Sequence, residues 1–128
     1  MPYAEPAWLV EDFHTPYYSD SHRRLQREMR VFTEKYVLPV AEKCEVSGER
    51  PDVELVKLMG ANGLNAMRLG PGKHLAGRKL FAYIKPEEFD YFHELIITQE
   101  LSRCGTRGFM DALQGGMVIG LPPVINFG

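Results

Sequence analysis

Leu25-Gln26-Arg27-Glu28-Met29-Arg30-Val31-Phe32-Thr33-Glu34-Lys35-Tyr36-Val37-Leu38-Pro39-Val40-Ala41-Glu42-Lys43-Cys44 is the stretch that decides the fold. Leu25, Met29, Phe32, Tyr36, Val40 and Cys44 recur at steps of three and four. That is one face of an amphipathic helix, not the alternation of a strand. Ser19, Asp20 and Ser21 stand just upstream as good N-caps, and Gly48 ends the element. Pro39 falls inside it, which predicts a kink or break in the last turns.

Working outward, a second helix is expected from about Pro51-Asp52, with proline in its first turn. It should bury Val53, Val56 and Leu58 or Met59 and stop at Asn62-Gly63, a C-cap signal. Leu64 to Leu69 is a short apolar piece, and Gly70 to Lys79 a loop rich in glycine and base. A third helix is expected to start at Pro86, with Glu87, Glu88 and Asp90 near its positive end. Phe89, Phe92, Ile96 and Leu101 make its stripe, widened by Leu95 and Ile97. A fourth, apolar helix runs from about Thr106 towards Gly120. No repeat and no alternating pattern stands out, so the fold class is all-α, a helical bundle. Residues 1–18, with Pro2, Pro6 and Pro16, read as an extended arm packing Trp8, Phe13, Tyr17 and Tyr18. Residues 19–128 read as one helical domain.

Composition narrows the function classes. The chain has 128 residues, 45% hydrophobic and 25% charged, the balance of an ordinary globular domain. A net charge of -2 gives no global electrostatic case for nucleic acid or an anionic membrane. Cys44 and Cys104 are too few for a disulfide framework or a four-ligand zinc site. Two buried reduced thiols are expected. The start of the sequence lacks the basic and apolar regions of a secretory signal. Glu5, Glu11 and Asp12 precede the first arginine, against a mitochondrial transit peptide, and the C-terminus is not a peroxisomal address.

The other end is unusual: from Gly108 to Gly128 the one charged side chain is Asp111. Such a segment needs cover from this chain, a second copy or a further domain. Ala112 to Gly128 spans 17 uncharged residues with four glycines and a Pro-Pro pair. A membrane-spanning helix needs about 20 apolar residues, so no membrane span is expected.

Catalytic motifs were sought. Gly72-Lys73-His74-Leu75-Ala76-Gly77-Arg78-Lys79 has phosphate-loop glycine spacing, but Arg78 stands where lysine is required and no hydroxyl follows. His93-Glu94 opens like a zinc-protease helix, yet Ile97 occupies the second histidine position. His14, His22, His74 and His93 are scattered, and the serines have no nucleophile-elbow context. No catalytic residue and no metal set emerges. Arg68, Lys73, His74, Arg78 and Lys79 are a solvated basic loop or an anion site for a nucleotide or coenzyme phosphate. Phe109, Met110, Leu113 and Met117 have the spacing of a core face or of an apolar ligand pocket.

Four pieces in order carry a family resemblance. Met29 to Lys43, with its proline near the end, looks like the opening helix of the acyl-CoA dehydrogenases. Leu55-Val56-Lys57-Leu58-Met59-Gly60-Ala61-Asn62-Gly63-Leu64 is similar to that family's second helix and glycine-leucine turn. Ile97-Thr98-Gln99-Glu100-Leu101-Ser102-Arg103 resembles its Glu-Glu-Leu-Ala-Arg stretch, with Gln99 for the first glutamate. Gly120-Leu121-Pro122-Pro123-Val124-Ile125-Asn126-Phe127-Gly128 resembles its Gly-x-Pro-Pro-Ile…Phe-Gly segment. The resemblance spans about residues 22–128 and is nearest in feel to fungal members.

The resemblance implies the N-terminal helical domain of a three-part flavoenzyme, the middle β-domain and C-terminal helical domain lying outside these residues. Such enzymes act on an acyl-CoA thioester, removing the α proton with a carboxylate and passing the β hydride to FAD. The base and nearly all FAD contacts belong to the other domains, so the isolated chain is expected not to retain FAD. No residue here matches the base, and whether the chain itself is an enzyme stays open. Carried over residue by residue, the acyl pocket would be lined by Phe109, Met110, Leu113, Gln114 and Met117. Two readings follow. One is an acyl-CoA dehydrogenase activity serving fatty-acid oxidation or fungal secondary metabolism. The other is a truncated, non-catalytic remnant or assembly module docking through its apolar end on a second copy or a full-length paralogue. The family works mainly in mitochondria and peroxisomes, and no address for either is visible.

Overall fold

The structure, a computed structural model, describes residues 5–9 and 13–128. No strand occurs among the described residues, and the all-α architecture follows. The first rod is α1 (Asp20–Phe32), a π-helical segment (Thr33–Val37) and α2 (Leu38–Ser47), continuous in helical dihedrals. Pro39 therefore neither breaks the rod nor ends it. Its missing N–H and its ring would offend the carbonyl four residues back, and the wider π turn just upstream relieves that clash.

The extra residue of the π turn changes which face is buried. Leu25, Met29 and Phe32 point inward as the spacing predicts, but beyond them Val37 and Ala41 take the fully buried positions, Tyr36 is exposed and Val40 packs half-buried against the core. The stripe slips by one residue and meets Cys44 again. Gly48 then ends α2 with φ +71, a conformation that glycine adopts without strain.

α3 (Val53–Ala61) starts where expected, with Asp52 accepting from the Glu54 amide. Its inner face is Leu55 and Met59, and Val53 and Val56 are exposed, a correction to the expected stripe. Gly63 holds φ +80 with its Cα against the Lys79 carbonyl, where any β-carbon would collide. α4 (Leu64–Met67) follows, then the glycine loop. Ala82 and Tyr83 both sit at φ 55, uncommon for residues with a side chain, and Arg24 Nε holds the Ala82 carbonyl at 2.9 Å.

α5 spans Tyr91–Ser102, so this helix begins five residues later than Pro86. Asp90 decides the start: its extended backbone and its carboxylate, accepting from the Phe92 and His93 amides, make it the N-cap. α1 and α5 pack side by side and parallel, since Ser21 meets His93 and Arg30 meets Glu100. They share one core with Met59, Leu64, Met67, Leu75, Phe109 and Leu113. Of the arm aromatics, Trp8 is buried and stacks on Tyr18 at 4.3 Å, and Phe13 and Tyr17 lie at the surface. The arm's remaining positions, 1–4 and 10–12, lie outside the described residues.

The second rod is α6 (Arg107–Gly115), a π-helical segment (Gly116–Gly120) and α7 (Leu121–Phe127). It is 21 residues long, and its most apolar 18 residues have a mean hydropathy of 1.2, long and apolar enough by length and composition to cross a bilayer. Both cysteines are buried and free.

Candidate functional site

The residues given above to an apolar or acyl pocket lie on α6, except Met117, which lies in the π-helical segment that follows. Phe109 and Leu113 enter the core, Gln114 is buried beside them, and Met110 and Met117 are half-buried at the flank. Gln114 Nε2 is buried with no hydrogen-bond partner, which is costly for an amide donor. Phe109 also lines a cavity of about 320 Å³ with Cys44, Pro51 and Ala112. Beyond Gln114 no residue of the rod is buried: Ile119 is 75% exposed, Val124 60% and Phe127 90%.

The basic run 68–79 is not one patch. Arg68, Lys73 and His74 line a cavity of about 550 Å³ closed by Val118, Pro122 and Asn126 of the second rod. Arg78 and Lys79 face a different cavity of about 620 Å³, with Glu28, Phe81 and Tyr83.

The structure also assembles a cluster that the sequence leaves scattered. His22 and His93 stack with ring centroids 3.6 Å apart, and both reach Asp90 Oδ1, from Nε2 at 3.0 Å and Nδ1 at 2.8 Å. Ser21 Oγ lies 2.9 Å from His93 Nε2 and 2.9 Å from Ser19 Oγ, which returns to His22 Nδ1 at 2.9 Å. The five side chains thus close a ring. Because the Ser19 amide donates to His22 Nδ1, a neutral His22 carries its proton on Nε2, facing the carboxylate.

Ser21, His93 and Asp90 have the connectivity of a nucleophilic triad, and His22, Asp90 and His93 place three ligand atoms within 4.8 Å. The geometry serves neither role. Ser21 is buried, away from any substrate. The ring nitrogens that would face an ion, His22 Nε2 and His93 Nδ1, are both taken up by Asp90 Oδ1. What the ring does is tie the start of α1 to the start of α5. Burial pushes the Asp90 carboxyl up, but hydrogen bonds from His22 and from the His93 amide and ring outweigh it and hold it below the ordinary range. Burial pushes the His93 imidazole down, partly offset by Asp90. The missed signal was a repeated spacing: Ser19-x-x-His22 and Asp90-x-x-His93 each put histidine three residues after an N-cap, and both form capping boxes.

Glu100 is engaged structurally. Its oxygens accept from Gln26 Nε2 at 3.0 Å and from Arg30 Nε and Nη2 at 2.9 and 2.8 Å. Arg30 also grips Glu5 of the arm at 2.6 and 2.9 Å, and hydrogen bonding to Arg30 holds the Glu5 carboxyl below its usual range despite burial. A carboxylate so satisfied is not poised as a base.

Comparison with known proteins agrees with the helical pattern. The model of the family described as acyl-CoA dehydrogenase, N-terminal domain, matches residues 19–128. Acyl-CoA dehydrogenase AFT10-1 of Alternaria alternata is 35% identical over 133 residues, covering 100% of this chain and 30% of that protein. Acyl-CoA dehydrogenase apdG of Emericella nidulans is 33% identical over 132 residues, with the same coverages of 100% and 30%. The chain therefore spans about 30% of the length of these curated relatives. No solved structure matches it significantly.

Proposed function

The chain belongs to the acyl-CoA dehydrogenase family, and from that premise we propose that it supplies the N-terminal helical domain of an FAD-dependent dehydrogenase acting on an acyl-CoA thioester. The observation that carries this reading is the second rod: a family helix whose apolar face from Val118 to Phe127 has no cover among the described residues. In the assembled enzyme that face docks against the flavin-bearing domains. Its inner part, Phe109, Met110, Leu113, Gln114 and Met117, lines the acyl chain. The unpartnered Gln114 amide orients the chain or limits its depth. The acyl group belongs to fatty-acid oxidation or to fungal secondary metabolism.

When bound, FAD would accept the β hydride of the thioester, and by the family resemblance its contacts belong to the other domains. Among the helix starts of this chain, Asp52 and Asp90 cap α3 and α5 with their own carboxylates and Ser19 with His22 closes α1, whereas α6 starts behind Thr106 without a side-chain cap. No step through the flavin is therefore assigned to residues 1–128, and Glu100, bound by Gln26 and Arg30, is not the base.

A second reading is favoured by the same face: the chain is a non-catalytic docking module for a second copy or a full-length paralogue. One experiment separates the two. The 128-residue protein alone is expected to bind no FAD and to reduce no artificial acceptor with acyl-CoA. Co-expressed with the flavin-bearing remainder of a relative, it is expected to form a yellow complex that does reduce the acceptor. A yellow complex without turnover favours the docking module, and stoichiometric flavin on the isolated chain rules out the division of labour in both.

A further inference from the structure

We propose that the cavity between the Gly70–His74 loop and the second rod binds a small organic anion, a carboxylate or phosphate carried on an apolar body. Its volume of about 550 Å³ suits such a ligand. The inference begins at Arg68. Its side chain is 4% exposed, yet both of its hydrogen bonds leave from Nη1, to Glu94 Oε1 at 2.5 Å and Thr98 Oγ1 at 2.7 Å. Nε is buried without a partner. The unused Nε–Nη2 edge is the fork by which arginine grips a carboxylate or phosphate with two parallel bonds.

A buried guanidinium held on one edge is an expensive arrangement. Burial weakens its hold on the proton, and Glu94 only partly compensates. An anion entering the cavity completes what the fold leaves unsatisfied.

The rest of the wall agrees. Glu94 offsets one positive charge, and Lys73, on the same wall, makes no ion pair among the described residues, so the cavity carries an excess of positive charge. Tyr91 and Asn126 add polar groups, whereas Val118, Pro122 and Ile125 make the opposite wall apolar. Charge at one end and hydrocarbon at the other select an amphiphile over free phosphate. None of the proposed acyl-pocket residues takes part, but Val118, Pro122 and Ile125 belong to the face assigned to docking, so the test uses the chain alone, where failure of this site and failure of the dehydrogenase reading are distinguishable.

The test titrates the 128-residue protein with octanoate, octyl phosphate, inorganic phosphate and neutral octanol, followed by amide NMR shifts at Gly70–His74 and Asn126. The expected result is saturable shifts with octanoate or octyl phosphate, and weaker or absent ones with inorganic phosphate and octanol. Response to octanoate alone assigns a carboxylate, and to octyl phosphate alone a phosphate. Lys73→Ala should weaken binding about tenfold, the size of one charge-assisted bond. Arg68→Lys, which keeps the charge but loses the fork, should weaken it further if its helical circular dichroism matches that of the parent. Equal binding of octanol, unchanged affinity in Lys73→Ala, or no saturable shift with either amphiphile overturns the proposal.

Discussion

The two rods of this domain use one backbone device and meet opposite fates. Each has a π-helical segment directly before a leucine-proline step: Thr33–Val37 before Leu38-Pro39, and Gly116–Gly120 before Leu121-Pro122. In both, the wider turn absorbs the proline, and helical dihedrals continue past it. The first rod is buried on one face from Leu25 to Cys44, but the second is buried only as far as Gln114. Helical continuity is thus settled locally by the proline, and burial by what the fold places alongside. An apolar helix tells that it needs a partner, not where the partner comes from.

The comparison can be broken most directly by matched truncations. Met29→Ala, in the buried stripe of the first rod, should cost about 2–5 kcal/mol. Val124→Ala, on the exposed face of the second, should stay within about 0.5 kcal/mol. Urea unfolding of both variants checks this, and equal costs would mean that the second rod is covered after all. A somewhat smaller loss, about 1–3 kcal/mol, is expected for Glu100→Leu, which strips Arg30 and Gln26 of their acceptor. The same variant should loosen the arm, since Arg30 holds Glu5; faster proteolysis between residues 5 and 19 would report it.

The seam between the first rod and α5 carries a pH dependence that the second rod, with no buried ionisable group, lacks. His93 is the source, and it faces His22, Asp90, Ser21 and Glu88. Burial holds its folded pKa below the ordinary imidazole value of 6.5, so the neutral ring is the favoured folded form near neutral pH. The stability it contributes is complete above that value and is lost as pH falls from there toward the depressed folded pKa. Asp90 acts in a lower window, losing its contribution as pH falls below the ordinary carboxyl value of 3.8. The urea midpoint should therefore fall between pH 7.5 and 5, and His93→Gln should flatten that slope. An unchanged slope in the variant would place the proton elsewhere.

How much of this was legible in the sequence differs between residues for physical reasons. Leu25, Met29 and Phe32 were read correctly because a 3.6-residue period holds until the π turn. Tyr36 departs from the expected stripe and Val40 keeps only a half-buried place in it, because nothing in the spacing announces the added residue, although Pro39 is the cue that something has to yield. The start of α5 was set too early because acidic residues favour a helix N-terminus wherever they fall, and Asp90 wins by capping with its own side chain. Val53 and Val56 gave way to Leu55 and Met59 because apolar type alone does not fix a face. The histidine ring was out of reach since His22 and His93 are far apart in sequence, yet the shared N-cap-x-x-His spacing was there to be read. Gln114 entered only through the family resemblance, and an unpartnered buried amide is visible only in three dimensions.

The smallest expected effect on stability is also the sharpest probe of the contrast. Ile119→Ser, Val124→Ser and Phe127→Ser together remove apolar groups that are mostly solvated in this domain. Burial energy scales with area withdrawn from water, and these side chains withdraw little, so each substitution should change unfolding free energy by no more than about 0.5 kcal/mol. Their effect should appear instead in association. An apolar face of this kind marks an interaction site, so the parent chain is expected to self-associate in sedimentation velocity and the triple variant to run as a monomer. The same substitutions should abolish docking onto flavin-bearing domains in the co-expression experiment, without touching the anion cavity walls at Arg68 and Lys73. If the triple variant loses several kcal/mol, the face is an intramolecular core. If it still associates, the contact lies elsewhere, and the uncovered rod loses its claim as the surface by which this domain joins its enzyme.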